Sequence, residues 1–158
     1  MKKINFKVLD SRLGKEIPYP SYATDGSSGI DLRACIEKKE VIYPNKTFMV
    51  KTGISIYISD PTITAVILPR SGLGHNHGIV LGNLIGLIDS DYQGELLISV
   101  WNRNIDKKFI LFPGDRIAQM IFLPIIKVKL NKVNKFSSFN ENNNNNRKEK
   151  GFGHSGIK

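Results

Sequence analysis

Residues 69–74, PRSGLG, bring together an arginine, a serine and two glycines. Arg70 offers a planar fork of donors suited to phosphate oxygens. Ser71 adds a hydroxyl, and Gly72 and Gly74 leave the backbone open to an anion. The segment is not a Walker loop, which needs G-x-x-x-x-G-K-[ST], and an ordinary turn with a surface arginine fits it equally well. A second segment, GLIDSDYQGEL (86–96), sets Asp89 and Asp91 in a turn between apolar runs. A carboxylate beside a phosphate ester can act as general base on water, although aspartates that merely cap a turn would give the same pattern. A third segment, GFGHSG (151–156), matches G-x-G-x-x-G but lacks the strand before it and the helix after it that dinucleotide binding requires. Its glycines can still form a nest of backbone amides around a phosphate, and Phe152 supplies a ring able to stack on a base. A frayed terminus is the plainer alternative. His75 and His77 have ligand-like spacing, but no carboxylate or thiol lies close by in sequence, so a histidine-held metal is not expected. The only cysteine, Cys35, reads as a small core residue and excludes an intrachain disulfide.

Strands must position these segments. From Thr47 to Ile58 the even positions Phe48, Val50, Ile54, Ile56 and Ile58 are apolar, and the odd positions Lys51, Gly53 and Ser55 are polar or small. Period 2 predicts a half-buried strand, with Gly53 as the place where it breaks. Thr62–Leu68 and Leu96–Trp101 are apolar or β-branched on both faces, as in strands buried on both sides, and Ile117–Ile126 is similar with Pro124 near its end. Turn residues separate these runs at Asp60-Pro61, Gly72, Asp89-Ser90-Asp91, Gly94 and Pro113-Gly114-Asp115. Residues 86–96 read as a hairpin, and the only helix expected is a short one within Gly72–Gly82. Short strands at this spacing predict an all-β sandwich or barrel.

The chain has 158 residues, which suits one domain with a core. No apolar stretch reaches the ~20 residues needed to cross a bilayer. The basic start MKKINFKVLD has no apolar run behind it, so a signal peptide is not expected, and a cytoplasmic location is. The formal charge of +9 draws anions, among them polyphosphate metabolites. Much of it reads as solubilising lysine, such as Lys127, Lys129, Lys132 and Lys135. A nucleic-acid-binding module would interleave aromatics with a basic stripe, and no such stripe is present, so neither nucleic acid nor membrane is an expected partner. The expected organisation is a β domain over 1–139, an Asn-rich flexible linker over 140–150 with five consecutive asparagines, and a glycine-rich arm over 151–158.

Taken together, GIDLRA (29–34), PRSGLG (69–74), GNLIGLIDSDYQGEL (82–96), PGDRIAQMIF (113–122) and GFGHSG (151–156) resemble the five ordered motifs of the trimeric deoxyuridine triphosphatase family, bacterial type. The resemblance spans nearly the whole chain. It implies a jelly-roll-like β barrel assembled as a homotrimer, with active sites shared between subunits and the fifth motif supplied as an arm. The implied reaction is Mg²⁺-dependent hydrolysis of dUTP to dUMP and pyrophosphate by water attack on the α-phosphorus. In that scheme Asp89 is the general base, and Asp31 holds Mg²⁺ through its water shell. Arg70, Ser71, Gly72 and Gln119 hold phosphates. Asn83 and the backbone of the 86–96 turn read uracil, and the ring of Tyr92 packs on the deoxyribose. Phe152 closes over the base, Gly153 and Ser155 hold the γ-phosphate, and Arg147 contacts phosphate. Lys148 and Lys150 stand where the family commonly has glycines, which bears on the placement of Arg147. A dCTP deaminase-like relative or a non-catalytic nucleotide-binding regulator of the same fold is the alternative. Asp89, the full fifth motif and the intact set Asp31, Arg70, Gln119 and Phe152 weigh against both.

Overall fold

The period-2 run does form a strand. In the computed structural model, which describes residues 2–136, Thr47–Tyr57 is extended; Val50, Thr52, Ile54 and Ile56 are buried and Met49, Lys51 and Tyr57 exposed, but Gly53 and Ser55 are buried too, so the half-buried alternation holds only as far as Lys51. Gly53 adopts φ 70°, and the pairing register slips between Lys51 and Ser55. This is a bulge at the position where the sequence predicts a break. A Cβ at Gly53 would come within 2.4 Å of Leu13 and 2.8 Å of the Cys35 sulfur, so both backbone and space call for glycine there.

The elements in chain order are β1 (Asn5–Val8), β2 (Ile30–Arg33), β3 (Glu40–Ile42), β4 (Thr47–Tyr57), β5 (Ile63–Pro69), α1 (Ser71–His77), β6 (Ile79–Leu81), β7 (Gly86–Ile88), β8 (Glu95–Asn102), β9 (Phe109–Leu111) and β10 (Arg116–Pro124). They form two four-stranded sheets, β1-β4-β8-β6 and β2-β10-β5-β7, and a two-stranded sheet β3-β9. All these strand pairs are antiparallel. Val50, Ile54, Ile98 and Val100 from the first sheet meet Leu32, Ile67, Ala118 and Met120 from the second, and Ile42 and Leu111 of the third close the same core. The all-β, jelly-roll-like architecture expected from the sequence is the one observed.

Three local expectations turn out differently. β5 is buried on both faces at Thr64–Ile67, as predicted, but β8 is not. Its sheet meets the core through one face only, burying Leu96, Ile98 and Val100 and leaving Leu97 exposed. The short helix begins at Ser71, one residue before the expected window, and carries no buried residue. Residues 86–96 do not make a hairpin: β7 pairs with β5, whereas β8 pairs with β4 and β6. The Asp89–Gly94 turn therefore carries the chain from one sheet to the other. Each apolar run finds its partners in a different sheet, and the local pattern of strand, turn and strand is the same in both cases.

The chain divides into two units, Met1–Lys127 and Val128–Lys158. The described part of the second, Val128 to Phe136, contains no helix or strand. The Asn-rich stretch 140–150 and the 151–158 motif lie outside the described residues. Among the described residues no helix is long and apolar enough to cross a membrane.

Candidate active site

Strand register builds the first part of the site. Asp31 on β2 pairs with Gln119 on β10, and Gln119 pairs in turn with Leu68 on β5. Arg70 follows directly where β5 ends, and Ser71 and Gly72 open α1. Asp31, Arg70, Ser71, Gly72 and Gln119, five residues singled out from the sequence, therefore line one cleft of about 330 Å³. Within it the Arg70 Nε donates to one Asp31 carboxylate oxygen at 3.0 Å, and the Arg116 Nη1 donates to the other at 3.2 Å. The Gln119 amide donates to the Pro69 carbonyl at 3.1 Å. Gly29 leaves room for that amide, since a Cβ there would stand 2.9 Å from the Gln119 oxygen. The result is a polar hollow with two guanidiniums, a hydroxyl and an open backbone at Gly72, where nothing lies within 4 Å of an added Cβ. Such a set can bind a polyphosphate.

Sequence reasoning missed Arg116 and the cleft wall at Ser27, Ser28 and Gly29. Residues three apart on a regular strand face opposite ways, so Arg116 and Gln119 would not be expected to share a cleft. A register irregularity between Arg116 and Ala118 is what lets them do so. The arginine in PGDRIAQ, close to a glutamine already implicated, was the available signal.

Asp89 and Tyr92 sit elsewhere, in a cleft of about 180 Å³ whose walls include Leu87, Ile88, Leu96 and Leu97. Tyr92 donates its hydroxyl hydrogen to the Glu95 carbonyl at 2.9 Å, which fixes the ring across the turn. β7 and the first half of β8 border this cleft without pairing to each other, and the Ile88, Glu95 and Leu96 carbonyls there already accept from the Thr64, Tyr92 and Thr52 side chains. Asn83 lies in the exposed turn between β6 and β7, outside the residues that line the cleft.

The register also sets how far apart the two clefts are. Ile88 lies opposite Ala65; continued by one residue, that register sets Asp89 level with Thr64, and Arg70 lies six residues further on, just past the end of β5. At ~3.3 Å per residue that is roughly 20 Å. One chain therefore holds Asp89 and Arg70 far apart along the sheet.

Among the described residues no three His, Cys, Asp or Glu side chains gather as a metal cage. Asp31, with its side chain 18% exposed, is the carboxylate that lines the polar cleft, and its two oxygens accept from Arg70 and Arg116. One carboxylate fits a Mg²⁺ that keeps most of its waters and takes its other ligands from substrate phosphates. Cys35 is buried, and burial pushes its thiol up to about 11, so it is not a nucleophile at neutral pH. Arg147, Phe152, Gly153 and Ser155 lie outside the described residues.

Comparison with known proteins shows the family. The chain matches the dUTPase family over residues 15–156. It is 54% identical to the deoxyuridine 5'-triphosphate nucleotidohydrolase of Enterobacter sp. (strain 638), covering 100% of this chain and 99% of that one. It is 57% identical to the protein of that name from Escherichia coli O9:H4 (strain HS), covering 99% of each. Among solved structures it superposes on the Staphylococcus bacteriophage 80alpha dUTPase with dUPNHPP at a TM-score of 0.80, with 24% identity over 99% of this chain and 100% of that one. A point mutant of the dUTPase from phage phi11 of S. aureus, described with a structural Mg(II) ion, superposes at 0.75, with 20% identity over 87% of this chain and 100% of that one.

Proposed function

The chain belongs to the dUTPase family and is a dUTP diphosphatase, and from that premise we propose how its residues carry out the hydrolysis of dUTP to dUMP and pyrophosphate. The observation that carries the proposal is the separation of two half-sites: Asp31, Arg70, Ser71, Gly72 and Gln119 in one cleft, Asp89 and Tyr92 in another about 20 Å along β5. A triphosphate whose α-phosphorus is next to Asp89 needs phosphate ligands that its own chain holds too far away. A second copy of the chain supplies them, so the working unit is a homo-oligomer, and a homotrimer with one site at each subunit boundary is the closed assembly we infer. Exposed Leu84, Ile85, Leu87 and Leu97 provide apolar surface for such an association.

In this scheme the base enters the Asp89 cleft. The unpaired edges of β7 and β8 offer main-chain hydrogen bonds to uracil, with Asn83 adding to the readout. The face of the Tyr92 ring lies against the sugar and leaves no space for a 2′-hydroxyl, because the hydroxyl end of the ring is tied to Glu95. Asp89 accepts a proton from water as the water oxygen bonds to the α-phosphorus. The bond from that phosphorus to the bridging oxygen breaks, and pyrophosphate leaves in line with the attack. Positioning and charge neutralisation supply most of the acceleration in such a transfer. The neighbouring chain contributes Arg70, Arg116, Ser71, the open amides at Gly72 and Gln119 to the phosphate chain. Asp31 would hold Mg²⁺ through its water shell, and the ion would neutralise phosphate charge when bound. Phe152, Gly153, Ser155 and Arg147 complete the enclosure in the role the family resemblance implies, and the enzyme works in the cytoplasm.

The test is to incubate the protein with dUTP, dCTP, dTTP and UTP, with and without Mg²⁺, and separate the products by ion exchange. The expected result is Mg²⁺-dependent loss of dUTP alone, yielding dUMP and pyrophosphate. Deamination of dCTP, or binding without turnover, would replace this reading with one of its two rivals.

A further inference from the structure

α1 carries Ser71 and Gly72 into the polar cleft, yet little of the packing that usually fixes a helix is present in it. None of its seven residues is buried; Leu73 leans on the core, and the His77 ring meets that of Phe109, with centroids 6.1 Å apart. A two-turn helix without a buried stripe is not stable by itself. Those two contacts are supplemented by a set of hydrogen bonds from the loop after β8. The Arg103 Nη2 donates to the Gly74 carbonyl at 3.0 Å, and the Arg103 amide donates to the Gly78 carbonyl at 3.0 Å. The Asn104 side-chain amide donates to the His77 carbonyl at 2.6 Å. That amide also donates to the Asn102 side-chain oxygen at 2.7 Å. Asn102 is fully buried and is itself fixed by donating to the Ile42 and Lys107 carbonyls at 2.9 and 2.8 Å. The chain of bonds continues toward the cleft, because the Gly74 amide donates to the Arg70 carbonyl at 2.9 Å.

We propose that Arg103 and Asn104 are positioning residues for dUTP hydrolysis: anchored by Asn102, they set the place of α1 and through it Arg70, Ser71 and Gly72 around the phosphate chain. Neither residue lines the cleft, so each acts through the helix and not on the substrate. The inference rests on the reading of that cleft as the phosphate half-site.

The experiment uses the full-length assembled enzyme and measures kcat and KM for dUTP, together with competitive inhibition by inorganic pyrophosphate and by deoxyuridine. Arg103→Ala and Asn104→Ala should each weaken pyrophosphate inhibition by about tenfold, the scale expected for losing one strong hydrogen bond that positions a binding group. Inhibition by deoxyuridine should stay at the wild-type level, because the base binds in the other cleft. Arg103→Lys, which keeps a donor within reach of Gly74, should restore most of the loss. A lower melting temperature with unchanged pyrophosphate inhibition would show that the loop only stabilises the fold, and would overturn the proposal. Should an alanine variant fail to assemble, Arg103→Gln carries the same readout. Arg70→Gln separates the two levels of the argument. If it leaves pyrophosphate inhibition intact, the cleft has been misread; if it abolishes inhibition while the Arg103 and Asn104 variants do not, only the present inference fails.

Discussion

The two half-sites are built in opposite ways. The Arg70 cleft is cross-linked before any ligand arrives, with two guanidiniums on one carboxylate and side chains from two strands and a helix start. The Asp89 cleft has apolar walls and unpaired strand edges, and no hydrogen bond to the Asp89 carboxylate is found among the described residues. The difference suits the two tasks proposed for these clefts. Holding a polyphosphate calls for positive charge already in place, which costs no reorganisation when substrate binds. Taking a proton from water calls for a carboxylate whose lone pairs are not already committed.

That contrast can be broken by substitutions on either side. The largest effect is expected from Asp89→Asn, which keeps size but cannot accept the proton: kcat should fall by ~10²–10⁴-fold, with little change in affinity for a non-hydrolysable dUTP analogue. Steady-state kinetics and calorimetry check the two halves of this expectation. Deleting everything after Asn146 should remove most of the activity while size-exclusion chromatography still shows the assembled protein, since the buried core found among the described residues falls within residues 13–120. Arg70→Gln should mainly raise KM, by about tenfold or more, through loss of a charge-assisted phosphate contact. Arg116→Gln should do the same more weakly, because its side chain is 45% exposed against 28% for Arg70. Tyr92→Ala should alter neither proton transfer nor phosphate binding directly, and should appear chiefly as a smaller preference for dUTP over UTP in competition assays.

Much of this architecture could be read from residue pattern, because period 2 and turn chemistry are local. β4 and its break at Gly53 are the clearest case. Five residues of the polar cleft also followed from motif residues, whereas Ser27, Ser28, Gly29 and Arg116 did not, and for Arg116 a strand irregularity, not its sequence position, turns it inward. The 86–96 segment marks where local reasoning stopped. A hairpin and a crossover between sheets look alike over so short a stretch, and only long-range pairing of β7 with β5 tells them apart. The same pairing places Asp89 and Arg70 at opposite ends of β5, a distance no local pattern contains. The anchoring of α1 by Asn102–Asn104 was hidden for the same reason, because its partners lie in distant parts of the chain.

The central claim is that each active site joins the Asp89 cleft of one chain to the Arg70 cleft of another, and subunit complementation tests it most directly. Asp89→Asn and Arg70→Gln chains, each with its own affinity tag, are co-expressed, and assemblies carrying both tags are isolated and assayed with dUTP. Sites shared between chains predict that activity returns to roughly a third of the wild-type level, because a mixed cyclic trimer always has a single boundary that joins an intact Asp89 to an intact Arg70. Each variant alone stays impaired. Mixed assemblies no more active than the better of the two parents would contradict the account.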